Sequence, residues 1–178
     1  MYEAGIIAPI RFSEWVSNLV PTRKKTGEIR LCVDLRNVNK VSLKDNYPLP
    51  KMEHILQRVV GSSRISLLDG FSGYNQILIH PDDQEKTSFT TPWGTFMYIK
   101  MPFGLKNVGA TFQRAMDIAF AKEIHDFFVI YMDDLTIFSK SDQQHLNHLR
   151  QVFLKCKKYG ISLNPKKSLF GFEEGKLL

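Results

Sequence analysis

Twelve consecutive residues, Phe127 to Phe138, hold no charge except two adjacent carboxylates at their centre, Asp133 and Asp134. The aromatic and β-branched residues on either side read as two buried strands around a tight turn. Two like charges held together against apolar strands raise the free energy unless something positive compensates, and a divalent cation with hard oxygen ligands does so. The competing reading is an ordinary acidic hairpin turn, although tight hairpins prefer Asn-Gly or Asp-Gly at that place. Asp69 ends a second apolar run, Ile65-Ser66-Leu67-Leu68, and Gly70-Phe71-Ser72-Gly73-Tyr74 then turns the chain. Taken alone Asp69 reads as a turn former. Three acids from two strands can nevertheless clamp two metal ions, the arrangement that serves in-line phosphoryl displacement.

Charge is distributed to match. Residues 1–40 carry seven Lys/Arg against four acids, residues 140–178 eight against three, and residues 41–139 nine against eleven. An acidic middle between basic ends is the pattern of a carboxylate–metal site flanked by surfaces that grip a polyanion. A net charge of +6 by itself is equally a solubility feature. With 178 residues and 43% hydrophobic content, one core, or a core with a smaller lobe, is expected. No eighteen-residue apolar stretch and no basic-then-apolar leader occurs, so a soluble chain of the cytoplasm, away from membranes, is expected. Cys32 and Cys156 imply neither a disulfide framework nor a zinc cluster.

Along the chain, Met1 to Ile7 is expected as a short helix before a strand, and Thr26-Gly27 as the turn of a hairpin whose tip, Arg23-Lys24-Lys25, is cationic. Met52, Ile55, Leu56, Val59 and Val60 recur at helical spacing after the punctuation Asn46-Tyr47-Pro48-Leu49-Pro50. Strands are expected at 87–91 and 95–99, a helix at 109–122, and a last amphipathic helix through Leu146, Leu149, Val152, Phe153 and Cys156. Strands alternating with helices and several hairpins point to the α+β class. His145 and His148 are read as helix-surface residues without partners for a metal.

Tyr131-Met132-Asp133-Asp134 resembles the catalytic signature of reverse transcriptases, and it does not stand alone. In the same order as in that family come Arg30-Leu31-Cys32-Val33-Asp34-Leu35-Arg36 with Asn39-Lys40, then Asn46 to Pro50, Asp69 to Tyr74, Phe89 to Gly94, Pro102-Phe103-Gly104-Leu105, and Ala110-Thr111-Phe112-Gln113. The resemblance covers essentially the whole chain, in particular to gypsy-type LTR retrotransposons and related plant pararetroviruses. It implies a right-hand polymerase fold of fingers (about 1–65 and 87–103) and palm (about 66–86 and 104–178), with an antiparallel palm sheet packed on helices and no thumb. It further implies an RNA-directed DNA polymerase, a nucleotidyltransferase that adds dNMP units to a primer 3′-hydroxyl on an RNA or DNA template.

Position by position, the resemblance implies that Asp69, Asp133 and Asp134 are catalytic and hold two magnesium ions, for which manganese can substitute, with Gly70 lending backbone. Lys24, Arg30, Phe71, Tyr74, Phe103, Gly104 and Lys167 match nucleotide-binding positions; Arg23 is the alternative to Lys24. Among these, Tyr74 excludes a ribose 2′-hydroxyl and Lys167 sits near the leaving pyrophosphate. Asp34, Arg36, Gln113, Tyr131 and Met132 match template and primer positions. The family pattern is broken at Asn107-Val108-Gly109-Ala110, where glycine replaces a helix-starting proline, and at Asn75, where many relatives have His. Chain ends that look internal to a longer polyprotein lead to the expectation of a retrotransposon fragment with little activity alone, relying on remaining Pol segments such as thumb and RNase H. In the intact element the location implied is a cytoplasmic virus-like particle; oligomeric state is not implied. Two alternatives stand beside this reading: a non-catalytic mobile-element remnant that binds nucleic acid, and an RNA-templated RNA polymerase palm, which Tyr74 and the Pro-Phe-Gly-Leu segment disfavour.

Overall fold

In the computed structural model, residues 1–23, 27, 29–124, 126–132 and 134–173 are described, Arg30 by its backbone alone. The chain divides into two compact units, residues 1–45 with 74–108, and residues 46–73 with 109–178.

The first unit begins with turns rather than the expected helix. Gly5 takes φ 61°, and the N–H groups of Gly5 and Ile6 return to the carbonyls of Tyr2 and Met1. A helical run cannot pass through a left-handed residue, and β1 (Ile7–Pro9) instead pairs with a later strand. β2 (Leu19–Arg23) and β3 (Ile29–Val33) form the expected antiparallel hairpin, with Arg23 opposite Ile29. Its tip at 24–26 and 28, including Lys24, lies outside the described residues. After α1 (Arg36–Val41), α3 (Pro81–Gln84), which follows α2 (Met52–Val59) of the other unit in the sequence, precedes β5 (Phe89–Thr91) and β6 (Gly94–Tyr98). Strands β1, β6 and β5 make an antiparallel sheet in that order. Its apolar residues close over Ile79, Phe89, Tyr98, Met101 and Val108.

The second unit is built on a four-stranded antiparallel sheet in the order β7-β8-β4-β9. These are β4 (Arg64–Gly70), β7 (Phe128–Tyr131), β8 (Asp134–Ser139) and β9 (Leu163–Phe172). The helices are α2 (Met52–Val59), α4 (Val108–Ala119) and α5 (Asp142–Tyr159). Because successive side chains on a strand alternate between faces, the register sorts the apolar residues cleanly. Ser66, Ile137 and Phe128 share one row and Leu68, Leu135 and Ile130 the next on the same face. That face is sealed from solvent: Phe128, Leu135 and Ile137 are each fully buried, and Phe120, just beyond α4, meets Phe128 at 4.7 Å between ring centroids. On the opposite face α2 sets Ile55 and Val59 against Ile65, Val129 and Phe138.

α5 is delimited by local chemistry. The Ser141 side chain accepts from Gln144 N–H, Gly160 ends the helix at φ 67°, and Lys157 and Lys158 lie in the last turn. α4 stops at Ala119, three residues short of the expected end, and Lys155 explains the stop. Its ammonium donates to the Ala119 carbonyl at 3.1 Å and pairs with buried Glu123 at 2.6 Å, satisfying a helix-end carbonyl from outside the helix. β9 has no counterpart in the sequence reading. Pro165, two lysines and Gly171 disguise it, and an edge position is where a sheet tolerates proline. The α+β class with an antiparallel sheet packed on helices is the one expected.

Candidate active site

Asp69 and Asp134 are directly opposed across β4 and β8, with Tyr131 next in the row on β7 and Asn164 on β9. Registered partners place their side chains on the same face, here the face that carries α2. That helix covers the far end of the face and leaves the near end open as a cavity of about 260 Å³, bounded by Asp69, Asp134, Tyr131, Thr136, Lys167 and Leu169, among others. Two carboxylates thus stand on opposed strand positions at a hollow whose other walls include Leu67, Leu169, Thr136 and Lys167.

The hairpin that delivers Asp134 has only two loop residues, since Tyr131 pairs with Asp134. Such loops require positive φ at the first central position, and Met132 adopts it, at φ 54°. A side chain in the left-handed region costs about 1–3 kcal/mol and persists only where the flanking structure holds it. Buried β7 and β8 supply that hold, which accounts for a tight turn without Asn-Gly. Met132 is 51% exposed at the tip. Asp133, next in the sequence, lies outside the described residues.

A cation already faces the pair: Lys167 Nζ is 3.4 Å from Asp69 Oδ2. The Asp69 N–H donates to Ser168 Oγ at 3.2 Å. Gly70 ends β4, and the exposed Phe71 follows it with its N–H on the Ser162 carbonyl at 3.0 Å. Hard oxygen donors of like charge on adjacent strands are the donor type that fits a divalent cation, and the described carboxylates here are those of Asp69 and Asp134. Among the described residues no group of three or more His, Cys, Asp or Glu side chains gathers around a metal position.

Gln113 sits in α4 at 3% exposure and donates its amide to Asp117 Oδ1 at 2.9 Å. Asp117 also accepts from the Tyr47 hydroxyl at 2.7 Å, and the Arg114 guanidinium lies 4.6 Å from the Tyr47 ring centre. Tyr47, Gln113 and Asp117 line a second cavity of about 440 Å³ together with Pro48 and Pro50. In the other unit, Tyr74 stacks on the exposed Phe103 ring at 6.3 Å, and Gly104 adopts φ 105°. The Arg36 guanidinium grips Asp34 through Nε at 2.8 Å and Nη2 at 2.6 Å. That hydrogen bonding holds the Asp34 carboxyl down at about 2. The side chain of Arg30 lies outside what is described.

Sequence reasoning missed a buried polar cluster behind the sheet. His145 is not on the helix surface: it is 3% exposed, with Nε2 2.7 Å from Ser66 Oγ and Nδ1 2.9 Å from Ser139 Oγ. His148 Nδ1 meets the same Ser139 oxygen at 2.8 Å, and its ring stacks on Phe127. Burial lowers the pKa of both rings. The available signal was Ser66, a lone hydroxyl inside an apolar strand, which needs a partner once buried.

Comparison with known proteins converges on one family. The family model described as reverse transcriptase (RNA-dependent DNA polymerase) matches residues 22–178. The chain is 32% identical over 182 residues to the retrovirus-related Pol polyprotein from transposon 297 of Drosophila melanogaster, covering 100% of this chain and 17% of that protein. It is 36% identical over 157 residues to the Pol polyprotein from transposon gypsy of the same organism, covering 85% and 15%. The chain therefore spans less than a fifth of the length of these relatives. A foamy viral protease–reverse transcriptase solved in complex with double-stranded DNA superposes with a TM-score of 0.91 at 24% identity, covering 99% of this chain and 31% of that one. The shared fold is that of polymerase fingers and palm.

Proposed function

Because the chain belongs to the reverse transcriptase family, we propose that it is the fingers and palm of an RNA-directed DNA polymerase, which extends a primer 3′-hydroxyl by dNMP on an RNA or DNA template. The observation that carries the reading is the opposed pair of Asp69 and Asp134 at the open end of the sheet, with Asp133 next to Asp134 in the sequence. Membership of the family implies dependence on a divalent metal. We assign two magnesium ions, replaceable by manganese, to Asp69, Asp133, Asp134 and the backbone of Gly70. When bound, such ions acidify the primer hydroxyl and neutralise charge on the departing pyrophosphate.

The protein's own residues position and neutralise. Asp69, on a central strand flanked on both sides, is held with little freedom, as positioning at a reacting centre requires. Lys167, within reach of Asp69, suits a cation or proton donor for the leaving pyrophosphate. The resemblance assigns Lys24 and Arg30 to the triphosphate, with Phe71, Phe103 and Gly104 shaping the nucleotide pocket. Tyr74, with its ring stacked on Phe103, is assigned the exclusion of a ribose 2′-hydroxyl, so that DNA is the product. Asp34, Arg36, Gln113, Tyr131 and Met132 are assigned to template and primer. Gln113, being buried, serves by fixing Asp117 and Tyr47.

Primer extension on RNA and DNA templates with magnesium and dNTPs, together with magnesium-dependent dNTP binding, tests the proposal. Wild type is expected to bind magnesium and dNTP, and Asp69→Asn and Asp134→Asn to lose whatever extension the wild-type chain shows. An Asp69→Asn chain that extends primers like wild type, or a wild-type chain that binds neither magnesium nor dNTP, would overturn it.

A further inference from the structure

Resting on the reading of Asp69 as a metal ligand, we infer that Ser168 is a positioning residue: its hydroxyl holds the main chain of Asp69 where the pairing of β4 with β9 shifts register. The pairing of β4 with β9 breaks at this end of the sheet. Leu67 pairs with Leu169 and Asp69 with Asn164, so residues 165–168 stand opposite the single residue Leu68. Such a bulge removes ladder partners locally. The Asp69 N–H meets Ser168 Oγ at 3.2 Å. The same hydroxyl donates its proton to the Asn164 carbonyl at 2.7 Å, and Lys166 N–H closes the turn on Asn164 Oδ1 at 3.1 Å.

A hydroxyl has one proton and can accept through its lone pairs, and here the proton and a lone pair are committed in opposite directions. Ser168 is 9% exposed, so water is a poor replacement, and alanine would remove the bonds to the Asp69 N–H and the Asn164 carbonyl beside the ligand. Lys167 precedes Ser168 on the same bulge, with its ammonium 3.4 Å from the Asp69 carboxylate. One turn therefore holds Asp69 at two points, by its main chain through Ser168 and by its side chain through Lys167. A matching bridge spans the other irregularity in this strand pair, where Gly171 N–H donates to Ser66 Oγ at 3.0 Å. Ser66 points to the opposite face, toward His145, and provides the control.

The test uses the whole 178-residue chain, with Mn²⁺ binding read by electron paramagnetic resonance and amide hydrogen exchange at Asp69 read by NMR. In Ser168→Ala, Mn²⁺ affinity is expected to fall about 10-fold or more, as for other groups that orient a metal ligand, and the Asp69 amide to exchange faster. Ser168→Thr, which keeps the hydroxyl, restores both. Ser66→Ala lowers the melting temperature but leaves Mn²⁺ affinity at the wild-type value. An Asp69 amide that exchanges at the wild-type rate in Ser168→Ala overturns the inference, as does an equal loss of Mn²⁺ affinity in Ser66→Ala. A wild-type chain that binds no Mn²⁺ overturns the metal reading instead, and amide exchange at Asp69 then still decides the role of Ser168.

Discussion

Replacing Asp134 by asparagine should make the metal-free protein more stable while weakening its response to magnesium. The two carboxylates occupy directly opposed positions on β4 and β8, where side chains stand about 5 Å apart. Coulomb repulsion at that separation is about 0.8 kcal/mol in water and about 3 kcal/mol at an effective dielectric near 20. Asp69 is only 23% exposed, which favours the larger figure, but Lys167 beside it offsets part of the repulsion. A net relief of about 1 kcal/mol raises the melting temperature of a chain this size by about 2–4 °C. Asparagine keeps the shape and one oxygen, so packing should not confuse the result. Wild type in magnesium at a hundredfold over its dissociation constant gains about 2.7 kcal/mol, or about 5–10 °C, and Asp134→Asn should gain less. Thermal melts followed by circular dichroism in EDTA and in magnesium read both changes. A metal-free melting temperature that falls, or a magnesium-induced rise as large as in wild type, would show that these carboxylates are not a site held at a cost in stability for the sake of a cation.

Three further outcomes are expected. Tyr74→Ala should let ribonucleotides into the product, seen as a narrowed preference for dNTP over rNTP in primer extension; unchanged discrimination would sink the assignment. The histidine cluster predicts an acid limit to stability. With His145 lowered by burial, by His148 and by Arg64 against the opposing pull of Asp142, the folded state favours the neutral ring, so stability is full above about pH 6.5 and is lost as pH falls through the lowered folded value. Urea melts between pH 7 and pH 5 should show that slope flattened in His145→Gln, which is also expected to cost about 2 kcal/mol at pH 7 through the disturbed bonds to Ser66 and Ser139. Gly109→Ala should stabilise the chain by about 1 kcal/mol, because Gly109 is helical and a Cβ there would meet nothing within 4 Å; a lower midpoint in chemical denaturation would contradict the helix geometry at that position.

Local pattern determined much of this protein. The apolar runs around Asp133-Asp134, the spacing of Ile55 and Val59, and that of Leu149, Val152 and Cys156 each depend on a few neighbouring residues, so strands, helices and the acidic hairpin were legible without a fold. Ordered motifs carried the family and named Asp69 as the partner of the acid pair. Tertiary structure alone decided what depends on pairing between distant segments. β9 was hidden because its proline and lysines satisfy no strand pattern, yet it lies beside β4 and brings Lys167 and Ser168 to Asp69. His145 looked like a surface residue because helical spacing says nothing about which neighbour covers a face, and two serines from different strands turned out to enclose it. Residue types can announce a carboxylate site, but the backbone hydrogen bonds and the register that aim its members are set between strands some hundred residues apart in the chain.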